Sequence, residues 1–297
     1  MSIPVAGSQI TWGQFRKSDP QWTEERILAQ IAEAGYEGAP AGPHGDRPAD
    51  RTVALYAKYG LKPAPGYLGA DFWKPEKREA ILQSARKQAA YARDLGLSEL
   101  FVAPGGFDDV APSGKTRKQL AGHVTAADGL SDAQYQRFAD VLNEVGALTL
   151  EHGVRACFHN HVGTFIETRE EIDRLFSRVD PGVVFFGPDL GHLAWSGADV
   201  LDFVQAYAPR IKALHLKDIN PTALEQGQRK SWDYDAYSQH GIFAELGEGF
   251  IDFAAVFDLL KPHGYAGWTL AEIDVTVKPT ALQSLTTSRK YLQSIGL

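Results

Sequence analysis

The sequence predicts a closed (β/α)8 barrel, a TIM barrel, as one α/β domain over 1–297. Three observations carry that expectation. Short apolar runs alternate with segments of helical spacing along the chain, and eight such pairs can be counted. Some runs are apolar throughout, as in Val183-Val184-Phe185-Phe186. That pattern marks strands covered on both faces, hence a parallel sheet. The third is a missing signal. An open doubly wound sheet normally shows a Gly-rich phosphate fingerprint after its first strand, and Gly7-Ser8-Gln9 is not one. Eight parallel units close a barrel.

Taken in order, residues 3–12 alternate weakly around Ile3, Val5 and Ile10 and read as the first strand. Over 22–34, Ile27, Leu28 and Ile31 stand at helical spacing. Residues 35–39 are a second strand, 51–59 a short helix around Val53, Leu55 and Tyr56, and 62–68 a third strand with prolines near its ends. Pro75 suits the first turn of a helix, where its missing N–H has no partner to lose. Ile81, Ala85, Ala89 and Ala92 mark that helix's buried face. Residues 100–103 are the fourth strand. A polar stretch, 104–129, follows, and loops of that length are usually functional or disordered. Ser131 with Gln134 makes a capping-box pattern, and Phe138, Val141, Leu142, Val145 and Leu148 continue the helix. The fifth strand climbs to His159-Asn160-His161. Thr168 with Glu171 repeats the capping box. Residues 183–186 form the sixth strand, Val200 to Tyr207 a helix, and 211–216 the seventh strand. A second polar loop spans 220–249. Asp252 starts a helix, 267–272 are the eighth strand, and 279–294 the last helix.

The composition suits one large core, with 297 residues of which 44% are hydrophobic and 23% charged. The net charge of −7 and the absence of a Lys/Arg-rich patch argue against a nucleic-acid partner. The lone cysteine, Cys157, excludes an internal disulfide framework and a thiolate-rich zinc site, and reads as a small core residue. No leader-like N-terminus and no membrane-length apolar run is evident, so a cytoplasmic protein without membrane partners is expected. Self-association into a homo-oligomer is compatible with the sequence.

In such a barrel the site forms at the C-terminal ends of the strands. The ionisable residues at strand exits are Glu167, Asp189, His215 and Glu272, on four consecutive strands. Like charges about 4 Å apart repel by roughly 4 kcal/mol at an effective dielectric of 20, and a divalent cation relieves that. A thiol-free, oxygen-dominated set suits Mn2+, Mg2+ or Co2+. The expected metal ligands are therefore Glu167, Asp189, His215 and Glu272, with His159 as the alternative to Glu167. Strand alternation puts His159 and His161 on one face and Asn160 on the other. Lys217 is positioned either to hold a substrate oxygen or to pair at the rim with Asp218. His192 reads as a support for the ligands or a substrate contact. Trp12, Trp73, Trp195 and Trp232 lie near strand-exit loops, where aromatic rings stack on sugars as readily as they pack.

Five segments together carry a resemblance: His159-Asn160-His161-Val162-Gly163-Thr164, Asp189-Leu190-Gly191-His192, His215-Leu216-Lys217-Asp218, Gly247-Glu248-Gly249-Phe250-Ile251-Asp252-Phe253 and Gly264-Tyr265-Ala266-Gly267-Trp268. In this order and spacing the chain resembles the xylose-isomerase-like TIM barrels, most closely the pattern of inosose dehydratases and related sugar isomerases, epimerases and keto-sugar lyases. The resemblance implies a divalent metal held by Asp189, His215, Glu272 and a strand-five residue. Many relatives place a glutamate where this chain has His159, and an acidic residue near Ala39-Pro40.

The expected activity is proton abstraction next to the carbonyl of a ketose, keto-inositol or 3-keto-sugar derivative. The metal would stabilise the enediolate. Catalytic candidates are His159, His161, Glu272 and Lys217; substrate-binding candidates are His192, Lys217 and Trp12. The altered strand-five residue leans the expectation toward β-elimination rather than isomerisation or epimerisation. Two alternatives come from other classes: a non-catalytic sugar-binding or assembly subunit, and an endonuclease-like DNA-repair enzyme, which the acidic charge disfavours.

Overall fold

Strands that are apolar on both faces need neighbours on both edges, and this chain supplies them by closing on itself. The computed structural model describes residues 3–16, 19 and 21–297. Its strands are β1 (Val5–Gly7), β2 (Gly38–Pro40), β3 (Lys62–Ala64), β4 (Tyr67–Ala70), β5 (Glu99–Pro104), β6 (Arg155–Phe158), β7 (Val184–Phe186), β8 (Leu214–Leu216), β9 (Asp218–Ile219), β10 (Phe243–Ala244) and β11 (Thr269–Ala271). One parallel sheet runs β3-β2-β1-β11-β8 and a second runs β4-β5-β6-β7. Parallel bridges from Phe186 to Ile211 and from Asp189 to His215 join β7 to β8. At the other seam, β3 and β4 are two halves of one stave, parted at Pro65-Gly66. Proline has no N–H to give a ladder. The Ala41 and Phe101 amides still donate to the Ala64 and Gly66 carbonyls on either side of the break. The barrel thus has eight staves, the third in two pieces.

The barrel interior is plugged by Ala6, Ala64, Phe101, Cys157, Ala213 and Leu270. Five small or slender side chains surround one aromatic ring, which fills the taper. Burial pushes the Cys157 thiol far up, so it is an inert core group. Outside the strands, helix Glu24–Glu33 buries Ile27, Leu28 and Ile31, and helix Asp132–Glu151 buries Phe138, Leu142 and Val145. Both capping boxes form, at Ser131 with Gln134 and at Thr168 with Glu171. No described helix is long and apolar enough to cross a membrane.

The region 220–249 is not a loop. It holds helices Pro221–Lys230 and Tyr234–Gln239, and β10 pairs antiparallel with β9. Asn220 caps the first of these helices by accepting from the Thr222 and Ala223 amides. Only Ala223 and Gly227 of that helix are buried, so its apolar stripe is too thin to show as periodicity. The Asp218 carboxylate anchors the far end by accepting the amides of Gly247, Gly249 and Ile251. A Cβ on Gly249 would collide with that carboxylate.

The stretch 104–130 is held down by one fully buried cation. Arg117 donates Nε to the Thr164 carbonyl at 2.6 Å and makes a two-pronged pair with Glu171 at 2.9 Å on both prongs. Glu171 in turn accepts the amides of Glu167 and Thr168. The loop is thereby tied to the turn that follows His161. Removing one partner of a buried pair leaves the other uncompensated, at roughly 3–5 kcal/mol. Arg117→Met is therefore expected to lower unfolding free energy by about that much in chemical denaturation; a loss below about 1 kcal/mol, the range of an exposed pair, would contradict the staple.

Candidate active site

At the mouth of the barrel lies a cavity of about 620 Å³. Its floor and sides include Ser8, His159, His161, His215, Glu272 and Asp274, and its apolar walls are Tyr67, Phe101, Phe107 and Tyr234. Strand geometry explains the gathering. β6 delivers His159 and His161 to the same side, and their ring centroids lie 6.1 Å apart. Asn160 points the other way and bonds to the backbone of Asp189 in both directions, at 3.1 and 3.2 Å. It fixes the place where the chain leaves β7. Asp189 then caps helix Leu190–Trp195 through the His192 amide. His215 sits on β8 with its ring 4.5 Å from that of His159 and 4.2 Å from that of Phe101. Glu272 follows β11 and accepts from the Ser8 hydroxyl at 2.8 Å.

Lys217 occupies the centre. Its side chain is fully buried, and Nζ lies 2.8 Å from Asp274, 3.3 Å from Asp189, 3.3 Å from Glu272 and 3.1 Å from His192 Nε2. Gly191 makes room for it: a Cβ there would stand 2.5 Å from the Lys217 carbonyl oxygen and 2.6 Å from its Cβ. Burial alone would strip the proton from this amine. The three carboxylates outweigh burial and hold its pKa well above the ordinary value. The carboxylates respond differently. Burial raises Glu272, but Lys217 and His215 pull it well below the usual range. Burial wins at Asp274, which is pushed up to about 6, and it raises Asp189. Burial and the nearby cation keep the imidazoles neutral: His159 and His192 fall well below their ordinary value and His161 falls to about 3.

The donor set fits a divalent cation, though not for the reason the sequence suggested. Carboxylate repulsion is already relieved by Lys217. What remains is a set of buried atoms without a hydrogen bond: His159 Nδ1 and both ring nitrogens of His215, with Asp189 Oδ2 meeting only the Lys217 ammonium at 3.3 Å. Ligand atoms of His159, Asp189 and His215 lie within 4.8 Å of one another. Imidazole nitrogens and a carboxylate oxygen in that spacing are cation ligands by chemistry, with Glu272 beside them at 3.5 Å from His215 Nδ1.

Two expected residues lie elsewhere. Glu167 is turned away from the mouth. Its carboxylate accepts the Gly122 and Gly163 amides, both at 2.7 Å, and lies 3.9 Å from Arg117. The left-handed turn at Gly163 redirects the chain before Glu167 can reach the other donors. His159, just past β6, is the strand-five residue that reaches the cavity. Trp12 is also absent from the cavity: it is buried in the core and donates Nε1 to Gln30. Trp73 and Trp195 are core residues too, and the aromatic rings that line the cavity are instead those of Tyr67, Phe101, Phe107 and Tyr234. Asp274, Tyr234 and Ser8 were not singled out from sequence. Asp274 had a signal, since it stands two residues past Glu272 and shares its side by alternation. Tyr234 had none, because its segment read as loop.

A family model for the xylose isomerase-like TIM barrel matches residues 28–294. The chain belongs to the xylose isomerase-like TIM barrel family. Within the curated relatives, the inosose dehydratase of Geobacillus kaustophilus (strain HTA426) is 30% identical over 253 residues, 85% of this chain and 80% of that protein. Two solved structures share the fold. An L-ribulose 3-epimerase superposes with a TM-score of 0.67 at 18% identity, covering 99% of this chain and 94% of that one. The IOLI protein with a bound zinc atom gives 0.69 at 15% identity, covering 99% and 98%. This member of the family is a sugar-modifying enzyme, similar to the inosose dehydratases.

The placement of Glu167 yields a pH prediction. Burial pushes it up from 4.5 to about 7, against the pull of Arg117. The folded state therefore holds this proton more tightly than the unfolded chain does. Stability from this group is intact below the unfolded value and is lost as pH rises toward the folded one. Relative to Glu167→Gln, the wild-type protein is expected to lose roughly 1–3 kcal/mol of unfolding free energy between pH 4.5 and 7.5. A difference that stays constant across that window would contradict the assignment.

Proposed function

We propose that this enzyme is a metal-dependent carbon–oxygen lyase acting on a cyclic ketone of the sugar or cyclitol type. It removes the proton next to the carbonyl and expels the oxygen substituent on the following carbon. The observation that carries this reading is the set of ligand atoms on His159, Asp189 and His215, within 4.8 Å of one another and beside the Lys217 ammonium. The inosose dehydratase relative, matched over 85% of the chain, supports a ring of this kind as substrate.

Two imidazoles with the carboxylates of Asp189 and Glu272 favour Mn2+, Co2+ or Zn2+ over Mg2+, which prefers oxygen and water. The ion, when bound, supplies Lewis acidity at the substrate carbonyl. The chain's own groups do the rest. Lys217 keeps its proton, so its charge favours negative charge developing on a neighbouring oxygen without giving the proton away. Asp274, at about 6, is matched to accept a proton near neutral pH. His161, at about 3, is too weak a base and serves better as a hydrogen-bond acceptor. Asp274 can return its proton to the departing oxygen, which balances the elimination without a second acid. Tyr67, Phe101, Phe107 and Tyr234 cover the ring's C–H faces and exclude water. His192 holds Lys217 from behind. Epimerisation needs bases on both faces of one carbon; a histidine in place of the strand-five glutamate favours elimination instead.

The test is an inosose and keto-sugar panel run in D2O with metal-loaded protein, alongside elemental analysis. About one divalent cation per chain is expected, with deuterium entering beside the carbonyl or an unsaturated ketone accumulating. Asp189→Ala is expected to abolish the cation, and Asp274→Asn to cut turnover by about 100-fold with the cation retained. A silent panel from a fully metal-loaded protein would favour a sugar-binding role.

A further inference from the structure

The main cavity does not end at the barrel mouth. A second chamber of about 320 Å³ opens beside it, and the two share Ser8, Ile10, Pro40 and Tyr67 as a common wall. Ser8 holds Glu272 and Tyr67 packs edge-on against His159, with centroids 5.3 Å apart. The second chamber therefore adjoins the proposed reaction centre directly. A six-carbon keto-ring has about twelve heavy atoms. Even at the ~30 Å³ that water takes up per molecule, it fills roughly 360 Å³, little more than half of the 620 Å³ available in the main cavity alone.

The lining of the second chamber says what the remainder of the ligand is. Arg47 and Glu24 face it as a two-pronged ion pair with bonds of 2.6 and 2.9 Å, so its guanidinium charge is already cancelled. A phosphate or carboxylate would have to break that pair. Gln9, Tyr56 and Thr52 add uncharged polar atoms, and Gln9 and Tyr56 are held in place on the Pro40 carbonyl. Pro43 and Tyr67 supply flat apolar flanks. Such a chamber is complementary to an uncharged, hydroxyl-bearing ring.

We propose that the substrate is a two-ring molecule, a keto-sugar joined through oxygen to a second sugar, with the second ring seated in the chamber lined by Glu24, Arg47 and Tyr56. This rests on the elimination chemistry proposed above. The carbon beside the carbonyl loses its proton to the base. Its electron pair forms the C=C bond as the bond from the next carbon to the linking oxygen breaks. That oxygen takes up the proton, and the second sugar leaves as an alcohol. No oxidant or reductant is consumed.

The test compares kcat/KM of the metal-loaded protein for scyllo-inosose, for a 3-keto methyl glucoside and for the 3-keto form of a β-linked glucose disaccharide. The disaccharide is expected to be favoured by at least about tenfold over both. Pro43→Trp, which fills the second chamber, should lower that preference by at least as much, with Gly42→Phe as a second variant should the first not fold. Equal or better turnover of the single rings, or a disaccharide preference unmoved by either variant, would overturn the two-ring substrate and leave the elimination reading standing. Turnover of none of the three would overturn both.

Discussion

The site depends on one buried ammonium. Lys217 leaves β8 at the centre of the barrel mouth and meets Asp189, Glu272 and Asp274 within 3.3 Å. Without it, three carboxylates would share a dry space in which each charge costs several kcal/mol. With it, Glu272 stays ionised and Asp274 is poised near neutrality, while burial keeps His159 and His192 well below the ordinary imidazole value. One ammonium thus sets the two cavity carboxylates apart as an anion and a titratable acid. Gly191 and the Asn160 contact to Asp189 are the backbone conditions for this arrangement.

Alternation along β8 and β9 divides the labour within a single motif. His215 lines the cavity, and Lys217 lies buried behind its wall among Asp189, Glu272 and Asp274. Asp218 faces the other way and gathers the amides of 247, 249 and 251. A similar division operates after β6, where His159 and His161 serve the mouth while Glu167 and Glu171 tie Arg117 to the turn behind it. The cavity-lining groups and the groups that brace their loops are therefore interleaved in sequence.

This interleaving sets what could be read from sequence. The barrel was legible because its staves are continuous apolar runs, and Asp189, His215, Lys217 and Glu272 because each ends or follows such a run. The shared face of His159 and His161 followed from alternation alone. Glu167 was misplaced because nearness along the chain does not report the turn at Gly163 or the buried guanidinium it meets, which arrives from the distant 104–130 stretch. Trp12 was misplaced because a 3-10 turn, Ile10–Trp12, rotates it into the core. The helices within 220–249 expose most of their surface, so no apolar stripe announced them, and Tyr234 went unseen with them. The second chamber is a property of three-dimensional packing between β1, β2 and the loop after it, and no local pattern encodes it.

The central claim is that Lys217 is a permanently charged counterion rather than a neutral amine awaiting a substrate. Its ε-carbon resonance can be followed by NMR against pH in metal-free protein labelled at lysine, and assigned by its loss in Lys217→Met. The account predicts no titration of Lys217 up to its ordinary value of 10.5. A midpoint at or below about 8, as in lysines lowered by burial, would show that the carboxylates do not hold its proton and would remove the charge around which the site is built.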